Sequence, residues 1–329
     1  MIENERLVAV KAPAARTDDS LRVGVAQLAP VWMNRTATLD KVEQAIAIAA
    51  EAKCELVVFG ESLVPGYPFW LSETNGATFN DQTQKAAFAH YLDQAVNLEA
   101  GHLDGICAAA RQHKIAVYIG IAERAPDRSG HSIYCSLVYI TAQGVIQSTH
   151  RKLQPTYEER LVWASGDGHG LQTHPLGAFK LGGLNCWENW MPLARASLYA
   201  QGVDIFVSVW PGGIHNTQDN SRFVALESRS YVIAASGLLH SNDLPADAPF
   251  AGQIEEKYLA NGGSTIVGPD GVPLIEPVLD AEALLVADLD PACVRRERQN
   301  FDPAGHYSRP DVTELRLNRT RQSTLIIDE

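Results

Sequence analysis

One stretch in the middle of the chain, residues 179–209, reads FKLGGLNCWENWMPLARASLYAQGVDIFVSV. Its apolar run 179–185 predicts a buried strand, and residues 191–202 predict a helix that ends at Gly202. Residues 203–209 predict a second buried strand. A strand, a helix and another strand in succession are typical of α/β folds, in which helices cover the faces of a sheet.

The same alternation extends in both directions from this stretch. Further strands are predicted at residues 21–27, 55–60, 115–123, 231–237, 264–268 and 283–289, a hairpin at 132–141 and 144–150, and helices at 38–53, 221–230 and within 83–114, with a break at Gly101. No repeat or linker divides this pattern. We therefore predict an α/β fold in one compact domain over residues 21–300, with an N-terminal arm (1–20) and a polar C-terminal tail (301–329).

Composition excludes several classes of protein. The chain has 329 residues, of which 46% are hydrophobic, so a sizeable core is possible. Its formal net charge of -12, with no basic stripe, argues against nucleic acid or an acidic membrane surface as a partner. No apolar run approaches the roughly 20 residues that a membrane span needs. The amino end resembles neither a signal nor a transit peptide, and we expect a soluble, cytoplasmic protein.

The cysteines favour a reducing compartment. Their number is odd and they are scattered without a CxxC pair, which argues against a disulfide framework or a zinc cluster. Each thiol is therefore either a buried packing group or a reactive one. The five residues are Cys54, Cys107, Cys135, Cys186 and Cys293.

Three polar residues stand where predicted strands end. Glu61 follows the strand at 55–60, Lys152 follows the hairpin, and Cys186 follows the run 179–185. Strand ends are where α/β proteins gather their chemistry. Taken singly, Cys186 could be a packing thiol, Glu61 a surface carboxylate and Lys152 part of a solvated basic run.

Together, the three residues could perform nucleophilic catalysis. A cysteine that attacks a carbonyl or nitrile carbon needs a base for its proton and a cation for the developing negative charge. Glu61 and Lys152 could supply these. We also expect the helix that Pro192 opens to favour the thiolate of Cys186 as a secondary aid.

Three segments resemble the nitrilase superfamily of carbon–nitrogen hydrolases. They are VVFGESLVPGYPFW, HRKLQPTYEERLVWASGDG and GGLNCWENWMPLAR. The resemblance implies a four-layer α-β-β-α sandwich. It also implies that Glu61 is the general base, Lys152 the cation on the intermediate and Cys186 the nucleophile, with Glu159 as a fourth, acidic residue that orients Lys152 or assists proton transfer.

The residues after the cysteine resemble those of true nitrilases, because Trp187 and Glu188 follow it. This implies hydrolysis of a nitrile to the carboxylic acid and ammonia through a thioimidate and an acyl thioester, with the backbone N–H of Trp187 as a second oxyanion donor. Glu188 is used here only as a feature that is typical of the nitrilase branch of the superfamily. Alternatives are an amidase or a cyanide or nitrile hydratase with the same triad, or a non-catalytic scaffold protein.

Aromatic side chains near the triad positions are candidates for the substrate pocket, with ordinary core packing as the alternative. They are Tyr67, Trp163, Trp187 and Trp210, and Trp163 stands at a position that resembles the family's size-selecting one. No HExxH, GxGxxG or GxSxG pattern occurs, so we expect no metal, no cofactor and no serine nucleophile. The resemblance implies a small-molecule nitrile as substrate and a homodimer or larger homo-oligomer, with the helix at 191–202 and the tail 301–329 as the candidate contacts.

Overall fold

The computed structural model describes residues 7–12, 16–248, 255 and 257–325. The strands are β1 (Val8–Lys11), β2 (Leu21–Gln27), β3 (Leu56–Phe59), β4 (Ala116–Arg124), β5 (Ile133–Ile140), β6 (Ile146–Arg151), β7 (His174–Leu176), β8 (Phe179–Asn185), β9 (Ile205–Trp210), β10 (Tyr231–Ser236), β11 (Leu238–His240), β12 (Tyr258–Val267), β13 (Pro273–Leu279) and β14 (Ala283–Leu289). The α-helices are α1 (Arg35–Glu51), α2 (Trp70–Glu73), α3 (Gln82–Gln94), α4 (Asp104–His113), α5 (Pro192–Tyr199), α6 (Ile214–Ser228) and α7 (Pro291–Arg298). Short 3₁₀-helices span Pro126–Arg128, Tyr157–Leu161, Gly168–Gly170, Cys186–Trp190 and Ser241–Asp243.

The first sheet has the strand order β1-β14-β2-β3-β4-β5-β6. Its centre, β2-β3-β4, is parallel, and β5 and β6 extend it as an antiparallel hairpin. The second sheet has the order β11-β12-β10-β9-β8-β7, with β13 paired to β12. Its centre, β8-β9-β10, is again parallel. Such strands are buried on both faces, which explains why they are apolar throughout in the sequence.

Three apolar cores stack these elements into four layers. One core joins the outer face of the first sheet to α1 and α4, through residues such as Ile46 and Ile106. A second lies between the two sheets and joins Val58 and Leu137 to Val207. A third joins the outer face of the second sheet to α5 and α6. The predicted four-layer α-β-β-α sandwich is therefore confirmed.

Most predicted elements are present with boundaries shifted by a few residues. The break predicted at Gly101 lies between α3 and α4, where this glycine adopts a positive φ of 74°. The strand predicted at 264–268 is longer, since β12 begins at Tyr258, and β13 was not predicted. Pro273 and Pro277 fall within β13, and proline is confined to edge strands or strand starts, so the sequence argues against a strand there.

Parts of both chain ends contact the domain. Strand β1 lies within the predicted arm 1–20 and pairs in parallel with β14, so part of this arm completes the first sheet. Residues 1–6 and 13–15 of the arm, and 326–329 of the tail, lie outside the described residues. Residues 301–325 contain no helix or strand, but Arg321 binds Asp167 at 3.0 Å, so the tail contacts the segment that follows Lys152. In the described part of the chain, no helix is long and apolar enough to cross a membrane.

Candidate active site

The ends of strands from both sheets meet at one buried site. Glu61 lies two residues after β3, and Lys152 directly follows β6, in the first sheet. Cys186 directly follows β8 in the second sheet. All three side chains are buried. Oxygens of Glu61 and Glu159 and the Sγ of Cys186 lie within 4.8 Å of one another, so the structure brings together the four residues that the sequence analysis singled out as catalytic.

Lys152 is the centre of this group. Its Nζ donates to Glu61 Oε1 at 2.7 Å and to Glu159 Oε2 at 2.7 Å. Burial alone would lower the pKa of Lys152, but the acidic groups of Cys186, Glu61 and Glu159 outweigh it and raise this pKa well above its ordinary value. The surrounding acidic groups therefore favour the charged form of this lysine.

Glu61 has the properties of a base. Burial raises its pKa to about 7, with the Lys152 ammonium opposing this rise and the Glu159 carboxylate adding to it. Its Oε1 accepts hydrogen bonds, whereas its buried Oε2 has no partner among the described residues. A carboxylate with a pKa near neutrality and one free oxygen can accept a proton and return it.

Cys186 begins a 3₁₀-helix with a φ of 48°, in the left-handed region that few non-glycine residues adopt. Such backbone strain clusters at functional sites, where the surrounding structure maintains it. Burial, and then the charge of Glu61, raise the pKa of the Cys186 thiol well above its ordinary value, while Lys152 and a hydrogen bond from the Trp187 N–H oppose the rise.

This finding corrects the expected aid from a helix start. The helix α5 begins at Pro192, six residues after Cys186, and the intervening segment is the short 3₁₀-helix Cys186–Trp190. The dipole effect falls off within one turn, so it cannot offset the loss of hydration at Cys186. Burial therefore disfavours the thiolate of Cys186.

Glu159 is held rigidly. It lies in the 3₁₀-helix Tyr157–Leu161, where its Oε2 accepts from the backbone N–H of Thr156 at 2.6 Å in a capping box. Its Oε1 accepts from the Tyr67 hydroxyl at 2.8 Å. Burial raises the pKa of Tyr67 well above its ordinary value, so the hydroxyl remains a donor. Tyr67, predicted to contact substrate, thus donates to the same carboxylate that accepts from Lys152 Nζ.

The other predicted pocket residues lie in different surroundings. The Trp163 ring centroid is 5.5 Å from Lys152 Nζ and 5.5 Å from the Tyr67 ring, inside the site. Trp210 is fully buried against Cys186 and donates from Nε1 to Ser208 Oγ. Trp187 is 54% exposed, so its side chain lies largely at the surface.

A narrow cavity adjoins Glu61. Its volume is about 20 Å³, which is close to that of one water molecule. The wall includes Glu61, Tyr67, Phe69, Pro211, Leu238 and Ala260.

Two polar residues at the site were not predicted to act there. Cys135 donates from Sγ to Glu61 Oε1 at 3.1 Å. Glu188, fully buried, accepts from the backbone N–H of Leu153 at 2.6 Å, from that of Asn185 at 2.8 Å and from His150 Nε2 at 3.0 Å. It therefore joins the segment that carries Lys152 to the segment that carries Cys186. The spacing Asn-x-x-Glu is that of a capping box and could have indicated this role.

The arrangement also bears on metal binding. Glu61, Glu159 and Cys186 offer donor atoms close enough to share one cation. The Lys152 ammonium already binds both carboxylates, so a metal ion would have to displace it. The site thus contains its own positive charge.

The chain is similar to known carbon–nitrogen hydrolases over most of its length. The model of the carbon–nitrogen hydrolase family matches residues 22–299. A nitrilase from an unknown prokaryotic organism is 34% identical over 92% of this chain and 94% of its own. An aliphatic nitrilase from Rhodococcus rhodochrous is 33% identical (92% and 83%). A bifunctional nitrilase/nitrile hydratase from Lupinus angustifolius is also 33% identical (90% and 85%).

Solved structures show the same fold. A carbon–nitrogen hydrolase from Helicobacter pylori G27 superimposes with a TM-score of 0.66 at 21% identity, covering 89% of this chain and 96% of its own. An amidase from Nesterenkonia sp. AN1 superimposes with a TM-score of 0.64 at 18% identity, covering 88% and 98%.

Proposed function

Since the chain belongs to the carbon–nitrogen hydrolase family, we propose that it hydrolyses an organic nitrile to the carboxylic acid and ammonia, with Cys186 as nucleophile. The chain is a hydrolase of carbon–nitrogen bonds other than peptide bonds. One observation carries the finer proposal: a buried thiol lies within 4.8 Å of two carboxylates that a single ammonium holds in place. Relatives named nitrilases, about 33% identical over about 90% of the chain, support nitriles as the substrate class.

The first step forms a carbon–sulfur bond. Glu61 Oε2 accepts the thiol proton of Cys186, and Sγ attacks the nitrile carbon. One electron pair of the triple bond moves to nitrogen, where the Lys152 ammonium offsets the charge. The proton on Glu61 then passes to this nitrogen, which leaves a neutral thioimidate and an ionised Glu61.

Two water molecules complete the reaction. Glu61 takes a proton from the first water as the water oxygen adds to the thioimidate carbon, and passes this proton to the nitrogen. The remaining hydroxyl proton follows by the same route, so the carbon–nitrogen bond breaks with release of ammonia as the carbonyl of the thioester forms. The second water attacks the resulting acyl thioester. The carbon–sulfur bond breaks, the acid departs and the thiol of Cys186 is restored. Lys152 and the Trp187 N–H, which already interacts with Sγ, stabilise the negative charge that develops on nitrogen in the first addition and on oxygen in the second.

A second outcome begins from the tetrahedral intermediate that forms when the first water adds to the thioimidate carbon. If the carbon–sulfur bond breaks in place of the carbon–nitrogen bond, the product is an amide. The relative from Lupinus angustifolius is named for both activities, which favours the hydratase reaction as the second candidate. Amidase activity uses the same triad on an amide carbonyl and enters the scheme at the loss of ammonia.

The proposal is tested with a panel of aliphatic, aryl and arylacetonitriles and their amides, with ammonia, acid and amide measured separately. We expect acid with equimolar ammonia from at least one nitrile, and a covalent adduct on Cys186 detected by mass spectrometry. Cys186→Ala should lose both signals, whereas Cys54→Ala, which removes another buried thiol, should keep them. Amide as the main product would favour the hydratase. Absence of turnover and adducts across the panel would leave the scaffold interpretation.

We further propose a homo-oligomer in a reducing compartment such as the cytoplasm. Large apolar side chains on and near α5 and α6 are exposed, among them Trp190, Leu193 and Phe223, and a second copy could cover them. The nucleophile must remain a free thiol, and all five cysteines are unpaired. Light scattering of the wild type and of Leu193→Glu tests the assembly, since an unchanged mass would exclude this face.

A further inference from the structure

A second buried thiol contacts the proposed base. Cys135 lies on β5, fully buried, and its Sγ donates to Glu61 Oε1 at 3.1 Å. The same oxygen accepts from Lys152 Nζ at 2.7 Å. Two donors therefore hold one oxygen of Glu61, and its other oxygen, Oε2, has no partner among the described residues.

The strand register explains why Cys135 reaches the site. β5 lies between β4 and β6, with Cys135 opposite Ala122 on one side and Ser136 opposite Arg151 on the other. The carbonyl of Cys135 accepts from the backbone N–H of Lys152 at 2.7 Å. One residue thus binds the backbone of the catalytic lysine and the side chain of the base.

We propose that Cys135 is a positioning residue for Glu61: its S–H fixes the rotation of the carboxylate and favours the ionised form, so that Oε2 stays available as the proton acceptor. This inference rests on the proposed function, in which Glu61 acts as the base. It assigns a role to a thiol that takes no part in the covalent chemistry.

The charges around Glu61 set how strongly this donor acts. Lys152 favours the carboxylate, whereas Glu159, Cys186 and Tyr67 lie near it with acidic groups of their own. Burial, followed by the charge of Glu61, raises the pKa of Cys135 well above its ordinary value. Cys135 therefore remains a hydrogen-bond donor throughout the working pH range and does not compete as a second nucleophile.

The alternative is that Cys135 only fills space. It packs in an apolar cluster with Ile133 and Trp163, as buried cysteines commonly do. A packing role predicts that truncation lowers the free energy of unfolding and leaves the pH dependence of catalysis unchanged. A donor to Glu61 predicts a change in the pH dependence that serine, which also donates, reverses.

The test compares Cys135→Ala, Cys135→Val and Cys135→Ser in the full chain, with Cys54→Ala as a matched control in a different core. The pH profile of kcat/KM is measured from pH 5 to 9. In the alanine and valine variants, we expect the apparent pKa on the acidic side of the kcat/KM profile, called the acid limb, to rise by roughly 0.5–1 pH unit. At pH values below this pKa, kcat/KM should therefore be about threefold to tenfold lower than in the wild type. Serine and Cys54→Ala should keep the wild-type limb.

A second readout does not depend on turnover. The rate at which iodoacetamide alkylates Cys186, followed by mass spectrometry, reports removal of the thiol proton at each pH. The alkylation profile should shift in the same variants and direction. An unchanged limb and an unchanged alkylation profile in the alanine and valine variants would overturn the inference, as would a serine variant that behaves like alanine. A shifted alkylation profile without turnover of any nitrile or amide would support Cys135 and refute the proposed function.

Discussion

Replacement of Glu188 by glutamine should loosen the connection between the two segments that carry the nucleophile and the lysine. The Glu188 carboxylate accepts from the N–H groups of Leu153 and Asn185, one on each oxygen, and from His150 Nε2. A carboxylate only accepts hydrogen bonds, whereas a glutamine amide has one acceptor and one donor group. Glu188→Gln therefore leaves at least one buried N–H facing another N–H.

The expected cost follows from these contacts. A buried donor left without an acceptor costs about 1–3 kcal/mol, and hydrogen bonds to a charged group contribute about 1.5–3 kcal/mol each. We expect the free energy of unfolding to fall by roughly 2–5 kcal/mol. Since segments that meet at Glu188 carry Lys152 and Cys186, kcat should also fall, by roughly tenfold to a hundredfold for a displacement of about 1 Å.

The effect should depend on pH. Burial opposes ionisation of Glu188, but His150 and the two backbone N–H groups outweigh it and lower the pKa. A carboxyl group whose pKa is lowered by folding stabilises the protein above its unfolded pKa, and this stabilisation is lost as the pH falls through the folded pKa. The difference between wild type and variant should thus be full at pH 7 and shrink below about pH 4.

Urea unfolding at pH 7, with kcat and KM measured on the same samples, checks the prediction. The control is Glu99→Gln, which removes the same charge from an exposed side chain and should change the unfolding free energy by less than about 0.5 kcal/mol. If the unfolding free energy of Glu188→Gln lies within about 0.5 kcal/mol of the wild-type value and kcat is unchanged, the carboxylate does not connect the two segments.

Two further predictions concern the ionisation of the site. Because Glu61, with a pKa of about 7, must be ionised to accept the thiol proton, kcat/KM should fall about tenfold per pH unit well below pH 7; a limb near 4.5 in the pH profile would contradict this assignment. Lys152→Met leaves the buried carboxylates of Glu61 and Glu159 without a cation, so urea unfolding at pH 8 should show a loss of about 3–5 kcal/mol. The loss should be smaller at pH 5, where Glu61 is protonated, and an equal loss at both pH values would argue against charge as the cause.

Much of the fold could be predicted because the spacing of hydrophobic residues along the chain distinguishes buried strands from amphipathic helices. The parallel strands at the centres of both sheets are short apolar runs, and the helices between them have one apolar face. Strand β1 was missed because only residues 8–11 pair, in a charged and alanine-rich arm. Strand β13 was missed because prolines argue against a strand unless its place at an edge is known.

The residues of the candidate site were likewise predictable only in part. Glu61, Lys152 and Cys186 could be selected because polar residues at the ends of apolar strands are unusual, and the resemblance added Glu159. The role of Cys135 depends on which face of β5 it occupies, and a thiol in an apolar strand is typical of a core. The distance of Cys186 from the start of α5 and the burial of its thiol are properties of the folded chain that the sequence position of a helix does not reveal.

The separation of the nucleophile from its base is a property of the whole sandwich. Glu61 and Lys152 belong to one sheet and Cys186 to the other, and the apolar layer between the sheets sets how far apart these strand ends lie. The layer is thin in places: a Cβ on Gly183 would lie 2.8 Å from Leu137 Cδ2. The rate of turnover should consequently depend on side-chain volume at interior positions that no substrate contacts. Laboratory evolution for a faster or slower enzyme should therefore recover substitutions from this interior layer as well as from the wall of the cavity.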